Sequence, residues 1–297
     1  MPKLFAITTV ALMMACMNPL RAADATVVPA PLVQPKRVQV PSAVMKRDIP
    51  ASVTLPKGYA QSGLSYPVLY LLHGAGDDEM VWTARTPVQE LADTYGIIVV
   101  TPSTGTSWFF DSPIDKNFQF ETFTAAELVK FMDGNYRTVS RREGRALAGN
   151  SMGGHGAMFL GIRHTNTFSA AAPMSGGMDI RAGSFPNNWN LKDRLGSIES
   201  NRARWDELTV MNQIEHLKSG DLAISIDCGT SDFFLEVNRQ LHAKLTTRGI
   251  AHDYAEFPGE HNWDYWSGSL RRQMAFLDRH FRKTGTSIFS KPVPRSH

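Results

Sequence analysis

From Tyr66 to the region of His280, short apolar runs alternate with longer amphipathic stretches, and this alternation restricts the possible folds more than any other feature of the chain. "YPVLYLLHGAG", residues 66–76, is almost continuously apolar and stops at glycine, as a strand buried on both faces requires. "IIVVTPS", "GRALAGN", "SAAAPMSG", "DLAISIDCG" and "HDYAEFPG" repeat the strand pattern. Between them "TPVQELADTYG", "TAAELVKFMDGNY", "MGGHGAMFLGIRHT", "FFLEVNRQLHAKLTTRG" and "YWSGSLRRQMAFLDRHF" carry helical spacing. Such alternation predicts an α/β fold, with a mostly parallel central sheet and helices on both faces. Ahead of it, "RVQVPSAVM" and "IPASVTLP" predict two antiparallel strands joined around "KRD". Residues 178–219 break the rhythm with Gly, Asn, Pro and charged side chains, which predicts an insertion over the top of the sheet.

A chain of 297 residues that is 42% apolar can fill one large core, and one domain is placed at 38–285. Basic and acidic residues nearly balance, 31 against 28, and the basic ones are scattered, which argues against a nucleic-acid partner. The first residues, "MPKLFAITTVALMMACMNPLRAADA", have a lysine, an apolar run and then small residues, the layout of a secretory signal peptide over 1–22 with cleavage near Ala22. The run is too short for a membrane span. "MMAC" loosely matches a lipoprotein box, which leaves lipid anchoring at Cys16 as a second expectation; otherwise Cys228 stays as a lone thiol. Pro-punctuated residues 23–37 are expected to be a linker, and 286–297 a loose tail. No zinc-type spacing of His and Cys is present, and no cofactor is expected.

Chemistry concentrates in "ALAGNSMGGHGAM", where Gly149, Ser151 and Gly153 satisfy G-x-S-x-G between an apolar strand and a helical stretch. That context predicts a nucleophile at a sharp turn; the plainer alternative is Ser151 as a helix N-cap. A nucleophilic serine needs a base and an orienting acid, which in α/β-hydrolases follow in the order Ser, acid, His. His261, in "FPGEHNWDYW", follows the last strand and is the expected base, the alternative being a surface histidine. His242 and His280 fall within helical patterns, His155 is too close along the helix to reach back, and His252 begins a strand. Asp232, after the strand "LAISID", is the expected acid, or else a helix cap; Asp227 within the strand is its rival, and Asp264 is too near His261. The oxyanion donors are expected to be the N–H groups of Met152 and Ala75, with His73 in support. Trp82, Trp108, Phe109 and Phe110 are expected either to border the substrate or to pack beneath a loop.

"LLHGAGDDEMVW", "SWFFDSP", "FETFTAAELVKFMD", "GNSMGGHGAM", "DCGTSDFFLEVNRQL" and "FPGEHNWDYW" resemble, in that order, the esterase D-like family of α/β-hydrolases, over roughly residues 40 to 285. That family includes tributyrin-type, feruloyl and acetylxylan esterases, S-formylglutathione hydrolases and mycolyltransferases. The resemblance implies the α/β-hydrolase fold, a triad of Ser151, Asp232 and His261, and an oxyanion hole at Ala75 and Met152. Where family members often carry Tyr, this chain has Phe109, which removes a hydroxyl near the expected pocket. The function expected is a secreted or periplasmic serine carboxylesterase acting on a small-molecule or carbohydrate-linked ester, with residues 178–219 over its active site. The alternatives are an acyltransferase on the same triad, a thioesterase of the S-formylglutathione hydrolase type, or a non-catalytic binding domain.

Overall fold

The computed structural model describes residues 35–290, Ser184 excepted. The signal peptide expected over 1–22, Cys16 and residues 291–297 lie outside the described residues. Eight strands form one sheet: β1 (Lys36–Ser42), β2 (Arg47–Thr54), β3 (Val68–Leu72), β4 (Ile98–Pro102), β5 (Arg145–Asn150), β6 (Ala170–Met174), β7 (Ala223–Gly229) and β8 (Asp253–Phe257). Their order is β1-β2-β4-β3-β5-β6-β7-β8. β2 pairs antiparallel with both β1 and β4, and every pair from β4 across to β8 is parallel. The α/β architecture is therefore the one the apolar runs predict.

The helices are α1 (Val81–Arg85), α2 (Val88–Tyr95), α3 (Phe120–Thr122), α4 (Leu128–Asn135), α5 (Met152–Arg163), α6 (Leu191–Leu195), α7 (Ile198–Leu208), α8 (Val210–Gln213), α9 (Leu235–Thr247) and α10 (Trp263–Lys283). A single π-helical turn, Phe123–Glu127, joins α3 to α4. Because successive strand residues face opposite ways, Val68, Tyr70 and Leu72 enter one core while Leu69 and Leu71 enter the other. The first core is closed by Met132 of α4, Phe159 of α5 and Leu241 of α9, and the second by Trp82 of α1, Leu91 of α2 and Leu270 and Leu277 of α10. A sheet covered on both faces explains why its strands read as unbroken apolar runs rather than alternating ones.

Three expected boundaries move. The first hairpin turns at residues 43–46, with Lys46 at φ 54°, and Arg47 and Asp48 already belong to β2. Lys36 and Arg37 pair in β1 opposite Val53 and Ser52, so the linker cannot extend to 37. Residues 286–290 are not a loose tail. Thr286 donates to Glu143 O at 3.1 Å, and Ile288 fills the space that Gly96, left-handed at the end of α2, leaves by lacking a side chain.

Candidate active site

Ser151 joins β5 to α5 at φ 54°, ψ −116°, a conformation that costs a non-glycine residue on the order of 1–3 kcal/mol. Its surroundings leave no room for another course. A Cβ on Gly149 would fall 2.5 Å from Gly153 O, and one on Gly153 would overlap Leu72 O at the end of β3. The Ser151 N–H donates to Met174 O of β6 at 3.0 Å, which pins the turn from the other side. Although Ser151 occupies the cap position of α5, its side chain makes no capping hydrogen bond. The hydroxyl instead donates to His261 Nε2 at 2.8 Å.

His261 lies between β8 and α10, and its Nδ1 stands 2.9 Å from each carboxylate oxygen of Asp232. An acceptor role at Nε2 and a donor role at Nδ1 assign the neutral Nδ1–H tautomer. Asp232 lies between β7 and α9; its carboxylate is buried, and Oδ1 also accepts from the Phe234 N–H at 2.7 Å. This arrangement is one in which the Asp232 carboxylate can orient the imidazole and the imidazole can accept the serine's proton. Asp227, the rival acid, takes hydrogen bonds from Tyr265 and Arg272 instead.

The loop after β3 runs beside the serine: a Cβ on Gly74 would stand 3.6 Å from Ser151 Cβ. Burial holds the His73 imidazole below the usual histidine range. Its Nε2 accepts from the Thr104 N–H at 3.0 Å, so Nδ1 donates to Gly74 O at 2.7 Å. With that carbonyl held, the planar trans peptide directs the Ala75 N–H the opposite way. Among the described residues the Ala75 and Met152 N–H groups have no protein acceptor.

The four aromatic residues singled out in the sequence are placed otherwise than a substrate contact requires. Trp82, Trp108, Phe109 and Phe110 are each at most 1% exposed. Rings of this size gain most by full burial, and here they back the site rather than face it. Trp82 packs edge-on against Trp263, which packs on Trp266, which meets His261 at a centroid distance of 4.8 Å. Trp108 donates from Nε1 to Trp189 O at 3.0 Å, Phe109 abuts His73, and Phe110 abuts Phe159.

The aromatic surface beside the triad comes from other residues. Phe233, 62% exposed, lies 4.1 Å from the His261 ring, and Phe234 lies 4.9 Å from it. With Ala182, Phe185, Trp189 and Val237 they line a cavity of about 470 Å³ that has no charged side chain in its wall among the described residues. Phe185 and Trp189 come from the 178–219 insertion, whose α6, α7 and α8 the sequence reading did not resolve. The signal for Phe233 was its place directly after Asp232; reading it as the start of a helix hid it, because α9 begins two residues later, at Leu235.

The sequence model of the Esterase family matches residues 42–277. An esterase of Mycobacterium tuberculosis is 32% identical over 235 residues, 71% of this chain and 52% of that protein, so the chain spans about half the length of that relative. The diacylglycerol acyltransferase/mycolyltransferase Ag85A of the same organism is 27% identical over 296 residues, 87% of this chain and 84% of its own length. Among solved structures, a ferulic acid esterase superposes with a TM-score of 0.69 at 31% identity, covering 84% of this chain and all of that one.

Proposed function

The chain belongs to the Esterase family, and from that premise we propose that it is a secreted serine carboxylesterase hydrolysing short-chain acyl, feruloyl or acetyl esters, carbohydrate-linked ones included. The observation that carries the reading is the unbroken hydrogen-bond line from Ser151 through His261 to Asp232. His261 Nε2 takes the hydroxyl proton as Ser151 Oγ attacks the ester carbonyl. The N–H groups of Ala75 and Met152 receive the negative charge that develops on the carbonyl oxygen. His261 then returns the proton to the departing alcohol, and water attacks the acyl-serine by the same steps in reverse order. The uncharged aromatic cavity beside His261 suits an apolar or flat acyl group better than a charged one. Export rests on the leader-like layout of residues 1–22; among the described residues no helix is long and apolar enough to cross a membrane.

The test is initial-rate hydrolysis of a series from p-nitrophenyl acetate through longer acyl chains to methyl ferulate. Ser151→Ala is expected to lower kcat by roughly 10⁴-fold or more while keeping the fold; a rate retained in that variant sinks the reading. The relation to a mycolyltransferase favours a second reading, acyl transfer to a sugar or lipid hydroxyl. Product analysis at high acceptor concentration separates the two, since hydrolysis gives only free acid.

A further inference from the structure

Asp232 and His261 reside on separate loops, and the backbone joins those loops at two points. The Thr230 N–H donates to Phe257 O at 2.8 Å, and the Ser231 N–H donates to Gly259 O at 2.9 Å. These bonds set how far the acid stands from the base, so whatever supports Phe257 and Gly259 governs the triad. Both rest on side chains of α10. Gly259 lies directly against the Tyr265 ring, which a Cβ there would overlap, and the Arg272 guanidinium lies 4.0 Å above the centre of the Phe257 ring. Tyr265 and Arg272 in turn converge on one group. The Asp227 carboxylate, in a residue 2% exposed in β7, accepts from the Tyr265 hydroxyl and from Arg272 Nε at 2.6 Å and Nη2 at 3.0 Å. Its backbone carbonyl accepts from the Ser175 N–H at 2.8 Å, one residue beyond the Met174 carbonyl that pins Ser151.

We propose that Asp227 is a positioning residue for catalysis, which through Tyr265 and Arg272 clamps the His261 loop onto the Asp232 loop and so fixes the distance between base and acid. The inference rests on the serine-esterase reading of this site. A carboxylate in the middle of a strand, satisfied by one phenol and one bidentate guanidinium, is a rigid anchor. A shift of even 1 Å at the base is enough to cost turnover without touching substrate affinity.

Tyr265→Phe, Asp227→Asn and Arg272→Lys are to be compared with wild type in kcat and KM on p-nitrophenyl acetate, in melting temperature, and in the downfield proton resonance of His261 Nδ1–H. In Tyr265→Phe, which removes one hydroxyl and keeps the ring under Gly259, kcat is expected to fall roughly tenfold with KM within about twofold. The Nδ1–H resonance is expected to shift or broaden, and Arg272→Lys to fall between this variant and wild type. A folded Tyr265→Phe with wild-type kcat and an unmoved resonance overturns the proposal, whatever Asp227→Asn does to stability. If Ser151→Ala keeps the wild-type rate, the esterase reading fails separately, and the resonance alone still decides whether the clamp holds the histidine on the acid.

Discussion

One helical turn beyond Ser151, His155 is fully buried between two carbonyl oxygens, Trp108 O and Leu208 O, each 3.2 Å from a ring nitrogen. Burial lowers its pKa to about 4. An unfolded chain binds that proton near the ordinary value of about 6.5, so from there down to about 4 the unfolded state holds more protons than the folded one. The contribution to stability is therefore complete above the unfolded value and is lost as the pH falls toward 4. Urea denaturation of His155→Gln at pH 7 and pH 4.5 is expected to show a pH-dependent loss smaller than wild type's by on the order of 2 kcal/mol; equal losses would remove His155 from the account. At this scale the sequence was most legible where chemistry imposes a local pattern. The glycines around Ser151 are needed because backbone passes where their side chains would be, and that constraint is written within five residues. Which of the two expectations for Trp108 holds, substrate contact or packing, was not legible, since its burial depends on Phe185 and Trp189, far along the chain.

Among the elements, the insertion between β6 and β7 contributes cavity wall through Phe185 and Trp189, while Ser151, Asp232 and His261 all follow strands of the sheet. Trp189 and Phe233 present nearly parallel rings, 8° apart in plane and 6.2 Å between centroids, one from the insertion and one from the acid loop. Phe233→Ala or Trp189→Ala is expected to raise KM for methyl ferulate several-fold and to change p-nitrophenyl acetate little, because a short acyl group has less apolar area to bury against these rings. Equal effects on both substrates would argue against this cavity as the acyl site. The strands and long helices were legible because burial on two faces or one leaves a period in the sequence. The insertion was not: α6 and α8 are short, α7 is broken by non-helical Asn201 and buries only Trp205 and Leu208, and a helix such as Leu191–Leu195 is held by packing of Leu191 and Leu195 into the core rather than by its own propensity.

For the molecule as a whole, residues 286–290 pack back over the end of α2 and the turn that leads into β5. Deleting residues 286–297 exposes the slot over Gly96 and removes the Thr286 to Glu143 bond. Thermal or urea unfolding is expected to show a loss of about 1–3 kcal/mol, and an unchanged midpoint would mean that these contacts contribute nothing. The sheet itself is graded. β5, which leads to Ser151, is wholly buried and paired on both sides, whereas β8, which leads to His261, is an outer strand and is exposed or half-exposed throughout. Ser151 and His261 are 110 residues apart and belong to opposite ends of that gradient. Outer strands open locally at lower free energy than central ones. On warming, then, the base should part from the nucleophile while the rest of the sheet is still intact, so that loss of turnover runs ahead of melting and reverses on cooling.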